Sequence, residues 1–482
     1  MKRLLMLAII VFGILLMVLP ASIRMLNDKP VMPGSEGYGH ARIAGIIAKE
    51  GIPSYDPAVP ERKYAINAFD LLLAGTAMLA GVGAAAVILP LVLGMLSILC
   101  VFAAVRKWKL PRPTAVSVML VFVLSPFFVN TFAQATQTSL EVFLLSLLVF
   151  LLSPAAEKRP ARITIIITII SIIIAGLVAT FGIIPAAAAF VVPMLLRTLS
   201  KKVPAAAVSS SIAAFIVLVA VALPVFLHNE QVPFGKPVPV VQAISDFGGA
   251  GGLSLFAWLL AFIGFVLLWQ FKKKYYAVMI AAGITLVAAL IMPSALPAAH
   301  LLISFLAGYA FAFLAQRKWS FDDIRALTML VLVCGLLFST LAHCLALARG
   351  MPSNDIRESA LAAKAVLPED AVLLSHPDNG FWLEYWSGRQ VFLDSWPAIT
   401  PRIAQKWAAA QAIWHSQDIT NARSLLFKNK IGAIVITEDM KNGLVWDLPE
   451  QDLLFLLRNN ETFKKAYNSS SVDIWAVILP KM

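Results

Sequence analysis

Along the first 349 residues, long apolar runs recur between short polar connections, whereas residues 350–482 switch to brief alternations. Apolar stretches approaching or exceeding about 18 residues read as membrane helices. Eleven are predicted, at 4–20, 81–105, 114–133, 138–153, 163–180, 182–196, 204–227, 253–271, 276–292, 296–315 and 325–347. Beyond Arg349 the β-rich runs Ala371–Ser375, Gln390–Leu393, Ile431–Thr437 and Val472–Ile478 alternate with helical patterns around 355–366, 401–413, 419–428 and 450–458. That alternation predicts a small α/β domain. The expected architecture is a polytopic α-helical membrane protein of about eleven transmembrane helices (1–349, with a large outer loop at 21–80), followed by a C-terminal exposed α/β domain at 350–482.

Composition supports the membrane reading. The chain is 60% hydrophobic and 14% charged, against about 25% charged for a soluble domain, and its mean hydropathy is +0.82. An ordinary soluble enzyme, a disordered chain and a coiled coil are excluded. The net charge of +12 would suit nucleic acid, but it is confined to the apolar part. Residues 1–349 carry 26 Lys and Arg against 12 acids, and residues 350–482 carry 13 against 15.

Of those 26 basic residues, 18 fall on alternate connections: Lys2/Arg3, Arg106 to Arg112, Lys158 to Arg162, Arg197 to Lys202, Lys272 to Lys274, and Arg317 to Arg325. Short cytoplasmic connections retain Lys and Arg. The N-terminus is therefore expected in the cytoplasm, with loop 21–80, loop 228–252 and the C-terminal domain outside. The first span starts like a signal peptide, but Pro20-Ala21-Ser22-Ile23-Arg24 offers no small-x-small cleavage site, which favours an anchor. Cys100, Cys334 and Cys344 lie in or at spans and imply no disulfide framework.

Candidate chemistry gathers on the outer side. Loop 21–80 holds Glu36, Glu50, Asp56, Glu61 and Asp70, with His40 and Arg42 opening a helical stretch. Such oxygen ligands suit Mg²⁺ or Mn²⁺, although a solvated loop with capping carboxylates would look the same, and Asp70 is expected to be solvated. Glu141 sits four residues into the fourth span, where an unpaired charge costs a few kcal/mol. Asp246 precedes a glycine-rich entry to the eighth span. The six histidines match no metal-binding spacing. In the exposed domain, Asp378, Asn379, Arg389 and Asp394 cluster with Trp382 and Trp386. Gly380 and Gly388 are expected in turns, and an Arg389–Asp394 ion pair would fix the loop.

These residues carry a resemblance in order along the chain. PGSEGYGHARIAGIIAKEGIPSYDP, SPFFVNTFAQATQTSLEVFL, VQAISDFGGAGGLSLFAWLL and HPDNGFWLEYWSGRQVFLDSWP resemble successive motifs of GT-C membrane glycosyltransferases, most of all the archaeal-type relatives of the oligosaccharyltransferase catalytic subunit. The resemblance implies transfer of a sugar or glycan from a polyprenyl (dolichyl)-phosphate-linked donor to a protein, lipid or glycan acceptor on the outer face. It implies a divalent metal, Mg²⁺ or Mn²⁺, on Glu36 and Glu141, with Asp246 as a third catalytic acid. His376, Asp378 and Asn379 take the place of the acceptor motif, and Arg42 and His300 stand for donor-phosphate contacts.

The chain also departs from the pattern. Glu36 replaces the commoner Asp, Gly37 and Gly39 thin the first motif, and His376-Pro377-Asp378 stands where Trp-Trp-Asp is usual. PSALPAAH lacks the arginine used on a pyrophosphate, which favours a monophosphate donor. A catalytically inactive relative acting as a binding or scaffold subunit is the alternative. A transporter is disfavoured, because no internal repeat is detected and span interiors are nearly free of ionisable residues.

Overall fold

The computed structural model describes residues 2–59, 61–64, 66–153, 169–171, 173–174, 177–178, 239–247, 251–270, 272–396, 400–448 and 450–478. The expected spans 182–196 and 204–227, and most of 163–180, lie outside the described residues. The chain forms two compact units. The first comprises residues 1–22, 88–228 and 235–349, and the second comprises residues 23–87, 229–234 and 350–482.

The helices of the membrane part are α1 (Lys2–Leu26), α4 (Val82–Lys107), α5 (Arg112–Val123), α6 (Pro126–Ala133), α7 (Gln137–Leu152), α8 (Leu255–Trp269), α9 (Lys272–Ile291), α10 (Leu296–Gln316) and α11 (Asp322–Arg349). Among the described residues, four helices are long and apolar enough to cross a membrane, or five if the bent pair α5 and α6 is one span. At 1.5 Å per residue, the 26 residues of α4 reach about 39 Å, ample for a bilayer core. The expected span 114–133 is instead broken by 54° between α5 and α6. The break follows from Ser125-Pro126: proline disfavours helical backbone in the residue before it, and Ser125 is extended, at φ −122° and ψ 127°.

Close helix packing in this unit rests on two glycines. A Cβ on Gly264 of α8 would overlap the Leu306 carbonyl oxygen of α10, and one on Gly308 of α10 would lie 2.5 Å from Val118 Cα of α5. Small residues at such crossings let membrane helices gain dispersion contacts without a hydrophobic drive between them. Gly308→Ala should therefore force the backbones apart at a cost of about 1–3 kcal/mol. Lower thermal stability of the solubilised protein would show this. Gly75→Ala, which meets nothing within 4 Å, is the control.

The second unit has a five-stranded mixed sheet in the order β2-β1-β3-β5-β4. Its strands are β1 (Val372–Leu374), β2 (Gln390–Val391), β3 (Ile431–Thr437), β4 (Phe463–Asn468) and β5 (Val472–Val477). β1 runs parallel to β2 and β3, while β3–β5 and β4–β5 are antiparallel. Central β3 is almost wholly buried, as expected of a strand covered on both faces. Its helices are α12 (Asn354–Val366), α13 (Pro377–Ser387), α14 (Ile403–Trp414), α15 (Ile419–Lys428) and α16 (Leu453–Leu456). Trp414 and Trp446 are core residues with no exposure, and Trp446 Nε1 donates to the Trp414 carbonyl at 3.0 Å.

Residues 23–87 fold into this same unit, carrying α2 (Glu36–Glu50) and α3 (Ala68–Ala80). α2 packs on both α3 and α13. Fully buried Arg24 donates to the carbonyls of Pro30 (2.6 Å), Gly350 (2.8 Å) and Pro352 (2.6 Å). Buried carbonyls need such partners, so one guanidinium ties the start of the first loop to the start of the C-terminal segment.

Candidate active site around the first loop

Glu36 opens α2, and its half-exposed carboxylate sits at the positive end of the helix dipole. One turn later, on the same face, stands His40, which is 1% exposed. Its Nδ1 lies 2.6 Å from Asp70 Oδ1, and its Nε2 lies 3.4 Å from Glu36 Oε1 without a well-formed hydrogen bond. The Tyr64 hydroxyl donates to Asp70 Oδ2 at 3.1 Å. Phe69 and Trp396 hold the imidazole edgewise and tilted, with centroids 5.1 and 4.9 Å away. Burial alone would lower the His40 pKa, but the carboxylates of Asp70 and Glu36 outweigh it and raise the group to about 9.

Asp70 is buried rather than solvated, which corrects the sequence expectation. On α3, Phe69, Asp70, Leu73, Ala74 and Ala77 share the inward face, so the helical period carries the acid into the unit along with the apolar side chains. An acid inside the apolar run Phe69 to Leu73 was the signal available in the sequence.

Behind this pair lies a buried ionic network. Arg42 grips both carboxylate oxygens of Asp56, at 2.7 and 2.9 Å, and its Nε lies 2.9 Å from Glu384 Oε2. Arg62, fully buried, bonds Asp56 and Asp394, each at 2.5 Å. Burial pushes the Glu384 carboxyl well above the usual carboxylate range, against the opposing pull of Arg42. Asp394 also accepts the Trp396 backbone N–H at 3.0 Å, which fixes the tryptophan that packs on His40. The expected Arg389–Asp394 pair does not form. Arg389 instead donates to the carbonyls of Lys364 and Leu367, at 2.8 and 2.9 Å.

Burial raises the pKa of Asp56, but its bonds to Arg42 and Arg62 more than reverse this and leave it at about 2. Against an unfolded value near 4, the depressed pKa contributes stability that is complete above pH 4 and is lost as pH falls through 2. The contribution is about 2 kcal/mol. Urea unfolding followed by tryptophan fluorescence should lose that amount between pH 4 and 2, and Asp56→Asn should flatten this part of the profile.

The remaining candidates are placed as follows. His376 caps α13 and stacks on Trp414 (6.1 Å, 24°). Asp378 projects with a side chain 64% exposed, 3.4 Å from His376. Asn379 is buried and donates to the hydroxyls of Ser375 and Thr437, at 3.1 and 3.4 Å. Gly380 lies within α13 rather than in a turn, and glycine is needed there because a Cβ would stand 2.7 Å from Asp394 Cα. Gly388 does take the left-handed C-cap, at φ 64°. Gly39 serves packing too, since its missing Cβ leaves room for the Phe381 ring at 2.8 Å.

In the other unit, Glu141 is buried in α7, and its Oε1 has no hydrogen-bond partner among the described residues. Asp246 accepts the Leu255 backbone N–H at 2.7 Å and the Ser339 hydroxyl, so it caps the entry to α8. His300 is buried and stacked on Phe122, with Nε2 donating to the Phe122 carbonyl at 3.1 Å. Among the described residues no three His, Cys, Asp or Glu side chains gather as a metal site.

No family model matches the chain, and no curated protein does. Solved structures do. An archaeal oligosaccharyltransferase, AglB from Archaeoglobus fulgidus, in complex with an inhibitory peptide and a dolichol-phosphate, matches with a TM-score of 0.62 at 13% identity, over 91% of this chain and 70% of its own. The A. fulgidus oligosaccharyltransferase in complex with Zn and sulfate matches at 0.60 and 14%, over 97% and 73%. ArnT from Cupriavidus metallidurans bound to undecaprenyl phosphate matches at 0.53 and 10%, over 98% of both chains. The fold of this helical membrane protein is thus the one shared by the GT-C glycosyltransferases AglB and ArnT.

Proposed function

We propose that this protein is a membrane glycosyltransferase that moves a sugar from a polyprenyl monophosphate to an acceptor on the outer face. The observation that carries the reading is the coincidence of fold and ligand chemistry. Two similar structures, matched over more than nine-tenths of this chain, hold a dolichol-phosphate and an undecaprenyl phosphate. Their common ligand is a polyprenyl phosphate, the lipid carrier of such donors, and the missing arginine in PSALPAAH is what favours a monophosphate link to the sugar. The alternation of basic connections supports a cytoplasmic N-terminus and an outward-facing site.

In this reading Glu36, with His40 behind it, serves the donor end. A divalent cation, when bound, supplies positive charge to the leaving phosphate. The residues fit such an ion, since a half-exposed carboxylate stands beside a buried imidazole nitrogen that lacks a well-formed bond. Glu141 and Asp246 remain the proposed further acids. Arg42 and His300 remain donor-phosphate candidates, although Arg42 is largely engaged by Asp56. Among His376, Asp378 and Asn379, acceptor contact falls chiefly to Asp378, whose carboxylate is the exposed one. The acceptor in this reading is a protein, a lipid or a glycan.

The test is purified protein in nanodiscs with polyprenyl-phosphate hexoses and pentoses, with release of polyprenyl phosphate followed by chromatography. Release that needs Mn²⁺ or Mg²⁺ is expected. Tight binding of the lipid without release from any donor would favour the scaffold alternative. Asp378→Ala should raise the acceptor KM or lower kcat at unchanged melting temperature, because the interaction exists only in the complex.

A further inference from the structure

We infer that His40 is a ligand to the divalent cation together with Glu36, and that Asp70 is the positioning residue that turns the imidazole toward the metal. The inference deepens the transferase reading and rests on it only for the identity of the donor phosphate.

Four observations converge. The first is spacing: Glu36 Oε1 and His40 Nε2 stand 3.4 Å apart. Two donors each about 2.1 Å from one cation, at angles between octahedral and tetrahedral, are separated by about 3.0–3.4 Å. The second is the unsatisfied nitrogen. A buried polar atom normally has a partner, yet Nε2 has none of good geometry, while the other ring nitrogen is held at 2.6 Å.

The third is the support behind the ring. Metal-bound histidines commonly give their second N–H to a carboxylate, which fixes the tautomer and the ring orientation. Asp70 fills that role, with Tyr64 donating to its other oxygen and with Phe69 edgewise and Trp396 tilted against the ring. The fourth is charge. Two carboxylates outnumber the single imidazole, so the cluster favours a cation over an anion. Two protein ligands are enough when waters and substrate phosphate complete the shell. Coordination replaces the Nε2 proton, which leaves to solvent, and a nitrogen ligand should tilt selectivity from Mg²⁺ toward Mn²⁺ and Zn²⁺.

The experiment is Mn²⁺ binding to the full-length solubilised protein without donor, read by electron paramagnetic resonance of free Mn²⁺, with Zn²⁺ and Mg²⁺ as competitors. We expect His40→Ala to weaken Mn²⁺ at least tenfold and to erase the preference for Zn²⁺ over Mg²⁺. Asp70→Asn should weaken binding about 10- to 100-fold at a similar melting temperature. Wild-type Mn²⁺ affinity and selectivity in His40→Ala would overturn the inference. If Asp70→Asn fails to fold, His40→Ala still decides. Mn²⁺ bound through His40 in a protein that releases no polyprenyl phosphate would sink the transferase reading and leave this site standing. Release by a protein whose Mn²⁺ binding ignores His40 would do the reverse.

Discussion

Arg62→Ala is expected to cost about 3–5 kcal/mol and to unfold much of the second unit at 37 °C. The guanidinium is wholly buried and bonds Asp56 and Asp394. Removing it leaves the carboxylates of Asp56 and Asp394 in a poorly solvating interior with less compensating charge, and breaking one partner of a buried pair leaves an uncompensated charge. Asp394 also orients Trp396 through its backbone N–H, so the loss should spread to the packing around His40. Far-UV circular dichroism and limited proteolysis of the solubilised protein would check this. Arg402→Ala is the control, because its partner Glu61 is, like it, mostly exposed, and such pairs are worth at most about 1 kcal/mol. Similar losses in both variants would show that the buried network contributes no more than a surface pair.

The second large effect is on activity. Glu36→Gln is expected to abolish sugar transfer, by at least about 100-fold in kcat/KM, while stability stays within about 1 kcal/mol. The side chain is 40% exposed, so an amide of the same shape can stand in its place. What it cannot supply is the charge that holds a cation against the leaving phosphate. Turnover comparable to the unmodified protein would show Glu36 to be a solvated loop residue. Glu141→Gln should also lower activity. It separates less cleanly, since that side chain is buried and neutralising it also relieves a burial penalty.

What the sequence determined is what local pattern and composition can carry. Apolar length sets membrane helices, and period-2 and period-3.6 alternation placed β1, β3, β5, α12 and α15 within a residue or so. The resemblance, from residue types in order, is also where the proposal of Glu36 and the segment around Asp378 as site residues comes from. Two elements escaped. β4, Phe463–Asn468, is mostly exposed on its outer strand and lacks a strong alternation. α13 carries Gly380, which reads as a turn until its packing against Asp394 is seen.

Tertiary structure alone decided partnerships across long separations. The apolar run around Asp70 hints at burial, but nothing local names His40, thirty residues away, as its partner, because only the packing of α3 on α2 brings the two side chains together. Arg62 finds Asp394 across 332 residues, while Arg389, much closer in sequence, turns to the carbonyls of Lys364 and Leu367. Arg24 likewise shows why residues 23–87 join residues 350–482 rather than standing as a separate loop. Charge pairing in a buried setting is chosen by where the chain can bring and desolvate both partners together, and sequence distance does not record that.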